Sequence, residues 1–394
     1  MIEVNKIYEG DALTLLKTFP SEIFNTCVTS PPYYGLRAYG TNPVIWDGDE
    51  NCQHEFTENI FIRKRGNING LTAKAGNTIA GISGIGTDIG CICSKCGAWR
   101  GELGSEPSPE LFVKHIVDIF REVKRTLKKD GTCWINLGDS YFGSGQGYGD
   151  TKTTNKGHNG SRERKKPIWR GTDLKPKDLI GIPWMVAFAL RADGWYLRSE
   201  IIWYKRNPMP ESVTDRPTKA HEQIFLLSKN AKYYYDAEAI LEECSVNTHA
   251  RISQDVAAQV GSYRANGGAK TNGPMKAVIR TPKQQPARLG IKNNDSFNNA
   301  TCLKVEKRNK RSVWEVATQS FSEAHFATFP EKLIVDCIKA GCPEGGLVLD
   351  PFAGANTTGL VARKLNRNYI ALELNPEYIK IGNNRVYDQI GLFL

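Results

Sequence analysis

Residues 346–374 read GLVLDPFAGANTTGLVARKLNRNYIALEL, and the order of chemistries along them decides the fold. An apolar run closes on an acid, Asp350. A loop of small residues follows, then an apolar pattern at helical spacing, then a second apolar run that closes on Glu373. Strand, helix and strand in so short a span require a βαβ unit with parallel strands. Upstream, EKLIVDCIKAGC (331–342) reads as an amphipathic helix, and a final helix follows Pro376.

The loop between the two runs is shaped for a ligand. Ala353, Gly354 and Ala355 let backbone approach closely, and Asn356, Thr357 or Thr358 can cap the next helix. Glu373 lies twenty-three residues after Asp350, about the spacing at which a carboxylate grips a cofactor ribose. The loop has neither the G-x-G-x-x-G of dinucleotide binders nor the G-x-x-x-x-G-K-[ST] of phosphate loops. A nucleoside cofactor without a pyrophosphate fits it best.

The same alternation runs through the N-terminal part. Asp11 ends a first short strand, Ala12 to Lys17 form a helical turn or two, and Phe24 to Thr29 form a strand. That strand feeds TCVTSPPYYGLRAYG (26–40), where Pro31 and Pro32 halt the ladder and hold Ser30 extended. The product is a stiff loop with a hydroxyl, a carbonyl and an aromatic face. SEPSPELFVKHIVDIFREVKRTLKKDG (105–131) then gives a helix with Ser108 as N-cap and Pro109 in the first position. Asp130-Gly131 is expected to stop it, and TCWINLGDSY to form a buried strand. His115 reads simply as a helix residue. GIPWMVAFALRADGWYLRSEIIWYKRN restores a helix then a strand, and HEQIFLLSKNAKYYYD adds another strand. The fold class is α/β, a doubly wound, mostly parallel sheet with irregular insertions.

Two stretches break the pattern. Residues 48–104 are rich in Gly, Asn, Thr and Cys, and read as an insertion with little core of its own. Residues 250–311 carry thirteen Lys/Arg against three Asp/Glu, a surplus equal to the whole chain's formal charge of +10. With 394 residues and a pI near 9.0, the chain is ordinary in composition but suited to a polyanionic partner. The glycine-rich, basic stretch 151–175 suits phosphate contact as well. No secretory signal or membrane-length apolar run is visible, so the cytosol is the default compartment.

DPFAGANTTG and TSPPYYG together resemble the β-class amino DNA methyltransferases, in which the catalytic loop precedes the cofactor loop. The family's cofactor loop reads D-P-F-x-G-x-G-T-T; here Asn356 replaces the second glycine. The resemblance implies a Rossmann-like methyltransferase fold dependent on S-adenosylmethionine, acting on double-stranded DNA in a bacterial or phage-infected cell. It implies cofactor contacts at Asp11, Phe329, Pro330, Asp350, Phe352, Ala353, Gly354, Asn356, Thr357 and Glu373. It implies a catalytic loop of Ser30, Pro31, Pro32 and Tyr33. Ser30 and the Pro31 carbonyl would hold the target amine, and Tyr33 would stack on a base flipped from the duplex. Members with serine in the first position more often methylate the N4 amine of cytosine, and those with aspartate the N6 amine of adenine. The expected organisation is a catalytic half at 1–47 and 105–235, a cysteine-rich insertion at 48–104, a target-recognition region at 236–312 and a cofactor half at 313–394. A homodimer and a cognate restriction endonuclease are partners of the kind the resemblance admits.

Cys52 and His54, with Cys93 and Cys96, make two chelating pairs of the kind that build a tetrahedral structural zinc site, and Cys91 is a spare ligand. Catalytic zinc is excluded by pattern, since neither H-x-E with P-C-x-x-C nor H-E-x-x-H occurs. Three rivals remain at this stage. Adenine as the target would appear in the methylated nucleosides, and RNA as the substrate in a comparison with duplex DNA. A non-enzymatic DNA-binding protein would be unaffected by Ser30→Ala.

Overall fold

The structure, a computed structural model, describes residues 2–35, 41, 43–57, 91–142, 173–244, 307–319 and 329–390. The basic segment 151–172, most of the basic stretch (250–306) and part of the cysteine-rich insertion (58–90) lie outside the described residues. By contacts the chain divides into two units: Met1–Asp236 with Ser312–Leu394, and Ala237–Arg311.

The larger unit is built on an eight-stranded sheet. In chain order its strands are β1 (Lys6–Glu9), β2 (Phe24–Thr29), β7 (Leu127–Leu137), β8 (Tyr196–Tyr204), β9 (His221–Ser228), β12 (Val313–Glu315), β13 (Leu347–Asp350) and β14 (Asn368–Glu373). Across the sheet they lie in the order β1-β14-β13-β2-β7-β9-β8-β12. Only β9 runs against the others among these strands. The chain steps one way from β2 to β7 and the opposite way from β13 to β14. The switch point therefore lies between β2 and β13, which are direct neighbours. Sheets of this kind bind ligands at the carboxyl ends of the strands beside that point.

Two helical groups cover the sheet. The first is α1 (Ala12–Thr18), α2 (Pro109–Thr126) and α3 (Ile182–Ala192); the second is α4 (Glu331–Gly341), α5 (Thr357–Lys364) and α6 (Pro376–Ile390). Period-two alternation sorts the strand residues between them. Cys27, Cys133 and Ile135 join the core beneath α2, whereas an added Cβ on Gly341 of α4 would strike Thr26, Thr132 and Trp134. The inner face of α2 lies deep in the core, where Phe112, Ile116, Ile119, Phe120 and Val123 are fully buried. Truncating one of its phenylalanines to alanine would cost about 3–5 kcal/mol.

Two expectations need correction. Asp11 does not end the first strand; β1 stops at Glu9, and Asp11 caps α1 by accepting from Thr14 N at 2.9 Å. Asp130-Gly131 does not stop α2, which ends at Thr126 because the fully buried Leu127 already pairs with Phe24 in the sheet. Residues 128–130 bulge outward before Thr132 resumes the ladder opposite Thr26. Where it is described, the insertion adds a small sheet to the chain just before it. β3 (Val44–Trp46), β4 (Phe56–Thr57), β5 (Cys91–Cys93) and β6 (Trp99–Gly101) form an antiparallel sheet, and Trp46 and Trp99 pack into the main core. In the smaller unit, β10 (Glu242–Glu243) pairs with β11 (Lys307–Arg308), and Arg308 and Arg311 both bind the Glu242 carboxylate.

Candidate active site

Four neighbouring parallel strands, β1, β14, β13 and β2, end at one edge of the sheet, and a residue that the sequence singled out closes or follows each. Neighbouring strands lie about 4.8 Å apart, so loops leaving adjacent ends share one crevice. Ser30 follows β2, and Asp350 closes β13 next to it. Thr29 Oγ1 donates to Asp350 Oδ1 at 2.6 Å, and Thr358 Oγ1 to the Val28 carbonyl at 3.2 Å. Two segments more than 300 residues apart are thereby joined.

The loop after β13 is held from both sides. Glu373 Oε2 accepts from Gly354 N at 2.7 Å and its other oxygen from Asn375 N at 2.8 Å. Gly354 has φ +51, and a Cβ there would meet nothing within 4 Å, so the loop opens onto free space. Asn356, also left-handed at φ 54, is fully buried and caps α5 by accepting from Gly359 N at 3.2 Å. Gly10 N donates to the Glu373 carbonyl, which sets Asp11 beside the end of β14. Arg385 bridges Thr357 Oγ1 (2.7 Å) and Glu331 Oε1 (3.0 Å), and so holds Pro330, just before α4, near the start of α5. Phe352 is half-buried, Ala353 and Thr357 are buried, and Phe329 is half-buried ahead of Pro330.

Burial pushes the Asp350 carboxyl above its ordinary range, against the opposing donors Thr29, Thr358 and the Phe352 N–H. Glu373 is raised for the same reason, against the N–H groups of Asn375 and Gly354. The crevice thus stores two carboxyls in surroundings that disfavour their charge.

The two tyrosines that follow Pro32 have different fates. Tyr34 is buried and packs on Phe112 with ring centroids 5.5 Å apart. Tyr33 lies over Gly138, where an added Cβ would come within 2.4 Å of its ring. Its hydroxyl donates to Glu222 Oε2 at 2.7 Å and lies 3.1 Å from Asn136 Oδ1. Asn136 Nδ2 donates to the same carboxylate at 3.2 Å, and Lys205 pairs with its other oxygen. Nearby Lys219 is pushed below its ordinary range by burial, which Asp139 and Glu222 oppose. None of Asn136, Lys205, Lys219 or Glu222 stood out in the sequence. They come from the end of β7, the exit of β8 and the approach to β9, whose reversed direction returns its first residues to the same edge. The signal available was a polar or charged residue near each strand end, which is common in any α/β chain.

His115 proves more than a helix residue. It is buried, its Nδ1 lies 3.0 Å from Glu106 Oε1, its Nε2 3.2 Å from Asp47 Oδ2, and its ring stacks between Trp46 and Trp99. Glu106 Oε2 accepts from Gly104 N at 2.8 Å. Gly104, at φ +92, takes Gly35 N on its carbonyl and presses against Pro32 and the Tyr33 carbonyl. The outside of the Ser30–Tyr33 loop is therefore braced from the small sheet. Burial works against the Asp47 carboxylate, but hydrogen bonds from Lys114 and His115 hold it below its ordinary range.

Cys52, His54, Cys93 and Cys96 converge at the far end of that sheet, with their donor atoms all within 4.8 Å of one another. Cys52 Sγ lies 4.0 Å from Cys93 Sγ, and Cys96 Sγ lies 3.3 Å from His54 Nδ1. Burial pushes the Cys93 thiol up, yet the N–H groups of Cys96 and Lys95 and the His54 side chain bring it down to about 6. Cys52 is pushed up to about 12 by burial and by its sulfur neighbours. The Cys91 side chain lies outside the described residues.

No helix among the described residues is long and apolar enough to cross a membrane. The DNA methylase family profile matches residues 24–384. Over 381 residues the chain is 36% identical to the type II methyltransferase M.SmaI of Serratia marcescens, covering 97% of this chain and 90% of that protein. It is 36% identical to M.Cfr9I of Citrobacter freundii over 380 residues, covering 96% and 87%. The fold matches the cytosine-N4-specific PvuII DNA methyltransferase at a TM-score of 0.50 and 15% identity, covering 98% of this chain and 91% of that one. The fold is thus the Rossmann-like one of the DNA methyltransferases, and the chain belongs to the DNA methylase family as a β-class amino DNA methyltransferase.

Proposed function

We propose that this enzyme transfers a methyl group from S-adenosylmethionine to the exocyclic N4 amine of cytosine in double-stranded DNA. The contact between Thr29 and Asp350 carries the reading, because it sets the catalytic and cofactor loops side by side. The open Gly354 backbone and the two acids at adjacent strand ends suit a nucleoside cofactor. Glu373 would bind its ribose, Asp11 its adenine, and Asp350, Phe352, Ala353, Gly354, Asn356 and Thr357 would line its path. Asn356 would do so through its backbone, since its side chain is buried as a helix cap. Phe329 and Pro330 would close over the methionine end. When bound, the cofactor supplies an electrophilic methyl on a sulfonium.

The conjugated base amine is a poor nucleophile. Ser30 Oγ and the Pro31 carbonyl accept its N–H bonds and draw the nitrogen lone pair out of the ring, while Pro32 keeps the loop rigid. Tyr33 provides a face for the flipped base, whose stacking returns about 1–3 kcal/mol of the unstacking cost. Catalysis here is mostly placement. Serine in the first loop position supports cytosine as the target. The basic region 236–312 would read the sequence, with arginines suited to guanine edges. The likeness to type II methyltransferases supports a place in restriction–modification.

The four ligands Cys52, His54, Cys93 and Cys96 would hold a structural zinc ion. A tetrahedron with Zn–S bonds near 2.3 Å has sulfur edges of about 3.8 Å, and the Cys52–Cys93 separation of 4.0 Å is close to that. The test of function is methylation of duplex DNA followed by digestion to nucleosides and mass analysis. N4-methylcytosine, lost in Ser30→Ala with DNA binding intact, is the expected product. N6-methyladenine alone would replace the base assignment, and methyl transfer confined to RNA would overturn the substrate.

A further inference from the structure

The methyl-transfer reading leaves one proton unaccounted for. As the N–CH3 bond forms and the C–S bond breaks, the electron pair passes to sulfur and leaves a neutral thioether. The amine nitrogen becomes cationic and must lose a hydrogen. In that reading Ser30 Oγ accepts one of its N–H hydrogens, yet a serine hydroxyl is a poor base and can equally point its own hydrogen at the amine.

Behind Ser30 stands an ordered line of groups. Ser30 Oγ donates to Tyr33 Oη at 3.5 Å, and Tyr33 Oη donates to Glu222 Oε2 at 2.7 Å. The Glu222 side chain is only 13% exposed, and its other oxygen is paired with Lys205, itself 20% exposed. Asn136 Nδ2 fixes the carboxylate from β7 at 3.2 Å. The charged groups that face the line are Lys205 after β8, Lys219 before β9 and Asp139 after β7.

We propose that Ser30, Tyr33 and Glu222 form a proton relay that ends on the Glu222 carboxylate. This rests on the methyl-transfer reading above. At rest, the direction of the line commits the Ser30 hydrogen to Tyr33, so Ser30 presents lone pairs to the target N–H. After methyl transfer the amine proton moves to Ser30 Oγ, the serine proton to Tyr33 Oη and the tyrosine proton to Glu222 Oε2. A serine thereby does what an aspartate would do by its own charge. Glu222 touches no substrate and acts through Tyr33.

Single-turnover methyl transfer separates this from a packing role. Glu222→Gln keeps the size and an oxygen for Tyr33 but cannot take a proton; Tyr33→Phe keeps the ring and removes the relay atom. Each should slow the methyl-transfer step by about 10²-fold, the usual scale of general acid–base assistance, with the dissociation constants for S-adenosylmethionine and DNA unchanged. The double variant should be no slower than either single one, because both break the same line. A solvent deuterium effect should be present in the wild type and absent from Tyr33→Phe. Losses that multiply in the double variant, or a Tyr33→Phe rate within twofold of wild type, would overturn the relay. If Glu222→Gln does not fold, Tyr33→Phe alone decides. A wild-type protein that methylates no DNA would instead overturn the reading beneath it.

Discussion

Thr29 on β2 donates its hydroxyl hydrogen to Asp350 on β13 at 2.6 Å, across 321 positions of sequence. Both residues are almost fully buried. The bond ties the last residue before the Ser30 loop to the acid that opens the loop after β13, so the two loops cannot drift apart without exposing an unsatisfied carboxyl.

Asp350 has a measurable signature in stability. Its carboxyl is raised above 3.8 by burial, so the folded protein holds that proton more tightly than the unfolded chain. Its contribution is full below the unfolded value and fades as pH rises through the folded one. Asp350→Asn keeps an oxygen for Thr29 and removes the titration. Thermal melts of both proteins without cofactor should show the variant gaining on wild type from pH 4 to pH 8. A pH-independent difference between the two would count against the raised carboxyl.

The Cys/His cluster should bind one equivalent of zinc. Metal analysis of the purified protein should give one ion per chain, and Cys93→Ser should lose it with a fall in melting temperature. Because the small sheet braces the Ser30 loop, prolonged chelation should slow methyl transfer as well. Metal content that is negligible, with melting unaffected by chelator, would leave only a thiol cluster.

His115→Ala removes the partner shared by Glu106 and Asp47. A buried acceptor left without its donor costs roughly 3 kcal/mol when charge is involved. Urea unfolding should show a loss of that order. Lys114→Ala, which removes only surface ion pairs to Asp47 and Asp118, should cost less than about 1 kcal/mol. Equal effects of the two changes would refute the buried network.

Gly138→Ala should injure catalysis selectively. Its methyl would enter the Tyr33 ring at 2.4 Å, so the ring must shift. Methyl-transfer rate should fall at least tenfold, since small misplacements of reacting groups carry large penalties, while affinity for S-adenosylmethionine changes little. Calorimetric titration beside single-turnover kinetics would show it.

The βαβ unit around Asp350 was legible because its signals are local: an apolar run, a small-residue loop and helical spacing lie within thirty consecutive residues. The Ser-Pro-Pro-Tyr corner was legible because proline restricts the chain wherever it stands. The Cys/His quartet was visible from ligand type, since two chelating pairs of Cys and His are the usual make-up of a tetrahedral metal site.

Glu222, Lys205, Asn136 and the His115–Glu106 brace were not legible. Their meaning depends on which strand lies beside which, and β9 reverses direction to bring Glu222 to the same edge as Ser30. Likewise, Asp130-Gly131 looks like a helix stop until Leu127 is seen buried against Phe24. By itself the sequence determined the class of sheet, the small-residue loop after Asp350 and the stiff Ser30–Tyr33 corner, because short-range sterics and periodicity act within one segment. Only the tertiary structure decided which charges meet behind that corner, because strand pairing joins residues hundreds of positions apart and no local pattern encodes the partner.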